Sequence, residues 1–199
     1  MSSRMSTLLA MAALAVTVIS AAIADRSFAH REIAENHAQG TITWSHIAAV
    51  GLEEHIQGTV QDVVSQIQAI NSSFQLLPDS GKDAPSSNRR LVCGVGGVDY
   101  TNGVIEYGIK YLRGLGDALC TNGAGPGNCG RISCASDDGI WWCNDNPHPV
   151  TFPCRIFADY AEDILNGCLY RFEFPKVRGQ EFDDDYGINV LVGKSPESC

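Results

Sequence analysis

The stretch Cys120–Cys168, CTNGAGPGNCGRISCASDDGIWWCNDNPHPVTFPCRIFADYAEDILNGC, holds six of the eight cysteines of this 199-residue chain. It also contains Asp138-Gly139, a strong hairpin signal, and an amphipathic run that begins after Pro153. All eight cysteines lie between Cys93 and Cys199, so the first ninety residues have none. An even number of cysteines confined to one half of a chain is typical of a small oxidised domain.

The spacing of the cysteines argues against a metal site. Zinc ligands usually come in short pairs such as C-x₂-C with histidines near them. The closest cysteines here are Cys129 and Cys134, and His148 is the one histidine in this half of the chain. We therefore predict that every cysteine forms a disulfide and that the protein holds no metal ion or other cofactor. The predicted disulfide-bonded residues are Cys93, Cys120, Cys129, Cys134, Cys143, Cys154, Cys168 and Cys199.

Residues 1–24 have the pattern of a signal peptide. Arg4 supplies a positive charge, an apolar run extends from Leu8 to Ile19, and small residues precede Asp25. The alternative is a membrane anchor, but the run is short for a helix that spans a bilayer. The pattern therefore predicts a secreted, extracellular protein.

Residues 25–90 are interpreted as a helical pro-segment and a linker. Apolar residues recur at spacings of three and four from about Ala48 to Ile70, which predicts one amphipathic helix. At the expected end of this helix, Asn71-Ser72-Ser73 is the one N-glycosylation sequon of the chain and predicts a glycan on Asn71. The apolar face of the helix is expected to rest on the cysteine-rich half.

The linker ends in a basic pair. Residues 77–90 are rich in Pro, Gly and Ser and close on Arg89-Arg90. Such a pair resembles the site that kexin-type proteases cut, although two solvated arginines are the alternative. Cleavage after Arg90 would separate every cysteine from the cysteine-free leader. We therefore predict a processing protease as a partner, and a secreted form that begins at Leu91.

Residues 91–199, called the C-terminal domain below, are acidic. They contain eight Lys/Arg against fifteen Asp/Glu, and the whole chain has a formal net charge of −9. Binding to nucleic acid, or to an anionic membrane through bulk charge, is therefore disfavoured. The segment is long enough for one domain with a modest core that disulfides reinforce, and we expect a monomer.

Hydrophobic periodicity predicts the order of elements in the C-terminal domain. A short apolar strand is followed by a helix over Tyr100–Leu115, a hairpin around Asp138-Gly139 and a second helix opened by Pro153. Two strands, Tyr170–Phe174 and Tyr186–Val192, end the chain and are joined by a loop. The order βαββαβ with an extra strand predicts an α+β fold. The expected type is a split β-α-β sandwich, in which an antiparallel sheet carries both helices on one face.

The order of these features resembles one family of proteins. In chain order, these features of the sequence are as follows: Val92-Cys93-Gly94; a helix that ends at Cys120; a loop that holds Cys129 and Cys134; Gly139-Ile140-Trp141-Trp142; Pro153-Cys154-Arg155; Asn166-Gly167-Cys168; and a terminal cysteine. Over about Leu91–Cys199 the chain is similar to the smut-virus killer toxin called KP-four and its fungal homologues. Members of that family are small secreted α/β-sandwich toxins. They are described as blocking calcium channels in susceptible fungi and, in homologues from plant pathogens, as affecting plant cells.

The resemblance implies a non-enzymatic secreted toxin or virulence effector that binds a surface protein of a target cell, such as a calcium channel. It also implies the pairing Cys93–Cys168, Cys120–Cys199, Cys129–Cys134 and Cys143–Cys154. The hairpin leaves a second pairing open, because a turn at Asp138-Gly139 would place Cys134 opposite Cys143 and leave Cys129 for Cys154. The viral toxin is basic and has one more disulfide than this chain.

Three residues are the predicted contacts with the target. The activity of the viral toxin is associated with a lysine shortly before the cysteine that corresponds to Cys134, and Arg131 is the basic residue here. Successive strand residues point to opposite faces, so only one of Trp141 and Trp142 can enter the core. The other is covered by a loop or exposed as an anchor for a partner. We predict Arg131, Trp141 and Trp142 as the contact residues.

Two other groups of polar residues are candidates for chemistry. His148, with Asp145 and Arg131, would be the catalytic set of a secreted hydrolase or nuclease, but a nucleophile is missing when every cysteine is paired. Asp183-Asp184-Asp185 lacks the spaced oxygen ligands of a calcium loop and is interpreted as a solvated acidic loop. We therefore predict no catalytic residue.

Overall fold

Three helices and twelve short strands form the part of the chain that its computed structural model describes, which is residues 39–47, 56–79, 81–82, 88–94, 101, 104–171, 175–195 and 198–199. The helices are α1 (Val60–Ile70), α2 (Ile105–Gly114) and α3 (Ile156–Gly167). The strands are β1 (Gln39–Gly40), β2 (Thr43–Ser45), β3 (Ile56–Gln57), β4 (Arg89–Cys93), β5 (Leu119–Asn122), β6 (Asn128–Ala135), β7 (Asp138–Asn144), β8 (Val150–Pro153), β9 (Leu169–Arg171), β10 (Pro175–Val177), β11 (Gly179–Asp183) and β12 (Ile188–Lys194). The predicted signal peptide lies outside the described residues. Within them, no helix has the length and apolar character needed to cross a membrane.

The largest sheet has the strand order β1-β6-β7-β12-β11-β4. Its pairs are antiparallel, except that β1 runs parallel to β6. A second antiparallel sheet has the order β3-β2-β5-β8, and β9 pairs with β10. Helices α2 and α3 contact each other, and both pack on the six-stranded sheet. The predicted α+β class with antiparallel sheets is therefore confirmed.

Helix α3 forms the centre of the core. Its apolar stripe is buried as its periodicity predicted, and the ring of Phe157 stacks on Trp142 with centroids 4.2 Å apart. The helix begins at Ile156, so the expectation that Pro153 opens it is wrong. Pro153 is the last residue of β8, where it is the cross-strand partner of Leu119. A proline at the end of an edge strand removes no hydrogen bond that the sheet needs.

The hairpin turn lies two residues before its predicted position. Strands β6 and β7 are joined through Ser136 and Asp137, which have φ of 50° and 66°, and Ala135 pairs with Asp138. Two consecutive residues with positive φ are the mark of the type I′ turns that favour hairpins. Asp138 is not available for the turn, because it is buried and accepts a hydrogen bond from the N–H of Val104 at the start of α2 (3.0 Å).

Helix α1 is shorter than the sequence pattern predicted. It begins at Val60, because Thr59 accepts from the N–H of Asp62 while the Asp62 carboxylate accepts from the N–H of Thr59. This capping box fixes the helix start. Ile56, counted in the predicted helical stripe, instead belongs to β3 and pairs with Trp44. The first part of the predicted helix, residues 48–55, lies outside the described residues.

All eight cysteines form disulfides, as predicted, but the expected pairing is mostly wrong. The pairs are Cys93–Cys168, Cys120–Cys154, Cys129–Cys143 and Cys134–Cys199. Only Cys93–Cys168 agrees with the pairing that the resemblance implied, and the alternative pairing fails as well. The hairpin register is the physical reason, because it places Cys129 opposite Cys143 and Cys134 opposite Gly139. The neighbouring β5–β8 ladder brings Cys120 within bonding reach of Cys154.

The last strands also differ from the prediction. The segment interpreted as a loop between Pro175 and Asp185 contains β10 and β11, and the final strand begins at Ile188. In β11 the inward positions are Gly179, Glu181 and Asp183, all buried. Because glycine and two acids occupy these core-facing positions, the hydrophobic alternation that marks a strand is absent.

Residues 39–79 share the core of the C-terminal domain. Trp44, in β2, is fully buried, pairs across the sheet with Cys120 and donates its indole N–H to the Gly58 carbonyl (2.8 Å). Helix α1 contacts β6 and α2, as was expected of its apolar face. The buried side chains that this segment adds to the core are Ile42, Trp44, Ile47, Ile56, Val60, Val63, Val64 and Ile67.

Candidate functional site

Two of the three predicted contact residues are cross-strand neighbours. We call the side of the six-stranded sheet away from α2 and α3 the outer face. Its central row consists of cross-strand partners on β4, β11, β12, β7 and β6, which are Val92, Gln180, Leu191, Trp141 and Arg131. Paired residues of adjacent strands project to the same face. The sheet therefore places Trp141 and Arg131 together on the outer face.

Trp141 lies flat against the outer face. Its indole ring covers Gly139, where an added Cβ would collide with the ring. Only a glycine at position 139 permits this close approach. Trp141 is 8% exposed and forms a small hydrophobic cluster with Leu191, Cys129 and Cys143, apart from the main core. Only a small part of Trp141 is therefore accessible to a partner of the folded protein.

Arg131 is half-buried beside Trp141. Its guanidinium donates a hydrogen bond to the Ser195 hydroxyl (2.8 Å). Disulfides adjoin the Arg131–Trp141 pair on both sides along the hairpin, Cys129–Cys143 toward one end and Cys134–Cys199 toward the other. This part of the face is therefore held rigid, which lowers the entropy lost on binding.

Trp142 belongs to the main core. It is fully buried on the helix side of the sheet, stacks on Phe157, and makes an edge contact with Phe152 at 6.0 Å between centroids. A partner of the folded protein has no access to this side chain. The structure therefore removes Trp142 from the candidate contact residues, and the alternation of strand side chains explains why the two tryptophans differ.

The residues of the alternative catalytic set are engaged separately. The exposed His148 ring has its Nδ1 atom 3.1 Å from the Pro149 carbonyl oxygen. The Asp145 carboxylate accepts from the N–H of Gly127 (3.0 Å) and from the side-chain amide of Asn189 (2.7 Å). These contacts make Asp145 a residue that fixes loops to the sheet. In the described part of the chain, no hydrogen bond joins it to His148.

The acidic run 183–185 is only partly a solvated loop. Asp183 is buried at the end of β11, where its carboxylate accepts from the Tyr160 hydroxyl (2.6 Å) and from the N–H groups of Asp185 and Tyr186 (both 3.1 Å). The interpretation of Asp183 as a solvated side chain is therefore wrong. Asp184 and Asp185 are exposed, as expected.

An ionic cluster that the sequence did not indicate connects the linker and β4 to helices α2 and α3. Arg113 is 4% exposed and donates to Asp159 (2.8 Å), Glu162 (3.0 Å) and Asp79 (3.1 Å). Burial acts to lower the pKa of Arg113, but the hydrogen bonds that it donates to Glu162, Asp159 and Asp79 together raise it. The full cluster consists of Asp79, Lys82, Arg89, Arg113, Asp159, Glu162, Asp163 and Glu181. Its members are up to 102 positions apart, so no local motif marks it.

Glu181 is the least well paired acid of this cluster. It is 5% exposed, its Oε2 atom has no hydrogen-bond partner, and Arg89 is 3.7 Å away. Burial raises the pKa of Glu181 to about 7. The positive charges of Arg89 and Lys82 lower this pKa, and the negative charges of Asp163 and Asp183 raise it. A buried carboxyl group with a raised pKa favours its neutral form.

We expect Glu181→Gln to stabilise the protein by an amount that grows as the pH rises from about 4.5 to 7. The folded chain keeps the Glu181 proton between about pH 4.5 and 7 while the unfolded chain loses it, so stability falls as pH rises through this window. Glutamine imitates the neutral acid. The gain in unfolding free energy should be near zero at pH 4.5 and on the order of 3 kcal/mol at pH 8. Urea unfolding at both pH values measures it, with Asp184→Asn on the exposed turn as the control. A pH-independent gain would contradict the expectation.

The predicted processing site is part of the sheet. Arg89 and Arg90 are the first residues of β4, an edge strand, and pair with Asp183 and Phe182. The Arg89 guanidinium lies 3.1 Å from Asp163 and over the Tyr160 ring. Arg90, on the outer face, stacks over Phe182 at 4.4 Å. A protease must therefore open one edge ladder to cut between residues 90 and 91.

The predicted glycosylation site follows α1. Asn71 is the C-cap residue of this helix, and its side-chain oxygen accepts from the N–H (3.1 Å) and the hydroxyl (2.7 Å) of Ser73. Ser72 and Ser73 are exposed, so the sequon lies at the surface.

Comparisons with protein-family models, with curated proteins and with solved structures find no match to this chain.

Proposed function

We propose that the chain is a secreted, disulfide-stapled toxin or effector that acts outside the producing cell by binding a surface protein of a target cell. The observation that carries the proposal is the pairing of Arg131 with Trp141 on the outer face. The sequence indicated Arg131 by its position before Cys134, and one of the two adjacent tryptophans by the alternation of strand side chains. Tryptophan and arginine are both enriched among the few residues that contribute most of the free energy of binding at protein interfaces.

The class of target is an expectation that follows from the resemblance to killer toxins. A channel with an acidic vestibule would attract Arg131 and contact the small exposed part of Trp141. The overall negative charge makes a local contact the basis of binding, because long-range attraction to such a target is absent. Only one of the four disulfides, Cys93–Cys168, matches the pairing that the resemblance implied, and the proposal therefore depends on the outer face.

We also propose that the topology of the fold is that of a split β-α-β sandwich. Strands β7 and β11 are joined through α3, run in the same direction, and have β12 between them. That arrangement is the defining unit of the split β-α-β topology. The residues that bind a target would then lie on the face of the sandwich opposite its helices.

Substitution of Arg131 tests the proposed function. We expect Arg131→Ala to weaken inhibition of fungal or seedling growth about tenfold or more, because loss of a central contact costs at least about 2 kcal/mol of binding free energy. Half-inhibitory concentrations of purified wild-type and variant proteins measure the effect. Lys176→Ala, which changes an exposed cation on β10, is the matched control and should keep full potency.

The same assay separates binding from catalysis. Trp141→Phe should lower potency, because phenylalanine stays apolar at this position but lacks the outer indole atoms that lie over Gly139. Inhibition that survives both Arg131→Ala and Trp141→Phe would refute the proposal. If His148→Ala in addition abolished an activity on a defined substrate, a secreted hydrolase would be the correct class.

A further inference from the structure

The segment before the dibasic pair is held in the fold without any covalent cross-link. All eight cysteines pair among themselves from Cys93 onward. Residues 39–79 nevertheless bury eight apolar side chains in the same cluster as Trp142 and Phe157. Five of these eight are completely inaccessible to solvent: Ile42, Trp44, Val60, Val63 and Ile67. An interface with an interior of this kind is typical of permanent complexes.

Polar contacts fix the position of the segment in addition to its apolar ones. Gln61 of α1 donates to the Ser133 hydroxyl (2.9 Å) and accepts from the N–H of Cys134 (3.0 Å). The N–H of Leu77 donates to the carbonyl of Gly114 at the end of α2 (2.9 Å). Strand β2 adds its ladder to β5. Each contact joins residues that lie on opposite sides of position 90, and none involves residues 78–90.

We propose that cleavage after Arg90 leaves residues 39–79 bound, so that the processed protein consists of two chains held together without a covalent bond. The inference rests on the proposed processing at Arg89-Arg90. The step is hydrolysis of the Arg90–Leu91 peptide bond by water, which leaves a carboxylate on Arg90 and an ammonium group on Leu91. It breaks none of the contacts of residues 39–79. The segment is then a permanent subunit of the toxin and is not a leader that departs.

The position of the cut is compatible with retention. Strand β4 is at the end of the six-stranded sheet, so opening it disturbs a single ladder, that with β11. Such edge openings require much less free energy than global unfolding. Asp79 and Lys82 hold the end of the linker through Arg113 and Asp163. The remainder of the segment therefore stays folded while β4 is cut.

The test is to nick the folded full chain in vitro. A kexin-type protease cuts after Arg90. If β4 resists this enzyme, a lysine-specific protease cuts after the half-exposed Lys82 in a variant that carries Lys110→Arg, Lys176→Arg and Lys194→Arg. We expect one native size-exclusion peak that contains both fragments at micromolar concentration. Denaturant without reductant should separate them, since no disulfide joins them. Mass spectrometry of the peak identifies both chains.

Variants at the interface provide the controls. Trp44→Ala and the milder Val63→Ala should release the fragment after nicking at least ten times faster than wild type, while the uncut variants keep one unfolding transition. Release of the fragment from nicked wild-type protein would overturn the proposal. The processing step is judged separately by N-terminal sequencing of the secreted protein. A secreted protein that starts only at Asp25 would refute processing. The in vitro nick would still decide whether residues 39–79 stay bound after a cut.

Discussion

The fragment Leu91–Cys199, produced and oxidatively refolded without residues 25–90, is expected to lack a cooperative unfolding transition. It retains every cysteine, both helices α2 and α3, and five of the six strands of the large sheet, of which β4 loses Arg89 and Arg90. The fragment loses the buried side chains that pack on the core between β5, β6 and α2. Trp44 and helix α1 fill that space in the full chain.

The size of the lost contribution decides the outcome. Fully burying a side chain such as valine, isoleucine or tryptophan contributes about 1.5–3 kcal/mol or more, and eight side chains of the segment are buried. The ordering of the segment offsets part of this gain. A whole domain is stable by only about 5–15 kcal/mol, so the uncovered fragment is expected to be partly unfolded. An exposed apolar surface of this extent also favours aggregation.

Calorimetry and dye binding measure the result. The fragment should show a broad thermal transition and bind a hydrophobic dye, whereas the full chain should unfold in one sharp transition. The matched control is a chain that begins at Gln39, which keeps β1, β2 and α1 and should unfold like the full chain. A sharp transition in Leu91–Cys199 alone would show that residues 39–79 are dispensable, and a pro-segment that leaves the protein would again be tenable.

Amphipathic helices were the part of the fold that the sequence predicted best. The stripe of α3 repeats at helical spacing, and the structure buries it almost completely. Such a pattern depends only on residues within one element, so it can be recognised without knowing how the rest of the chain folds. The class of the fold and the participation of all cysteines in disulfides follow from the same kind of local evidence.

Features that depend on register were predicted poorly. The turn at Ser136 and Asp137 replaces the expected Asp138-Gly139 turn, because Asp138 is needed by the start of α2, which lies thirty-four positions away in sequence. This shift of two residues changes which cysteines face each other, and with it the disulfide pairing. A one- or two-residue change in a β-hairpin has such large consequences since every cross-strand partner changes with it.

The candidate site was predictable only in part. Strand alternation correctly implied that one tryptophan of the pair is in the core, but it could not say which one. The sheet pairing settles this in favour of Trp142 and places Trp141 beside Arg131. The ionic cluster had no signal in the sequence, because each of its ion pairs joins residues from different elements.

Arg113 is expected to be the most sensitive charged position in the molecule. It is 4% exposed, and its guanidinium donates to Asp159, which is 1% exposed on α3. Removing the cation from a buried ion pair leaves a buried carboxylate poorly compensated, which typically costs about 3–5 kcal/mol. We therefore expect Arg113→Met to lower the free energy of unfolding by about that amount, and the urea midpoint measures the loss.

Two further variants distinguish the buried pair from its exposed neighbours. Asp79→Asn removes a carboxylate that binds the same guanidinium but is 49% exposed, so its cost should stay below about 1 kcal/mol. The double variant Arg113→Met with Asp159→Asn removes both buried charges. It should be more stable than Arg113→Met alone, because it leaves no unpaired carboxylate in the low-dielectric interior. If the two substitutions simply added, Arg113 would act by packing and not as the counter-charge of Asp159.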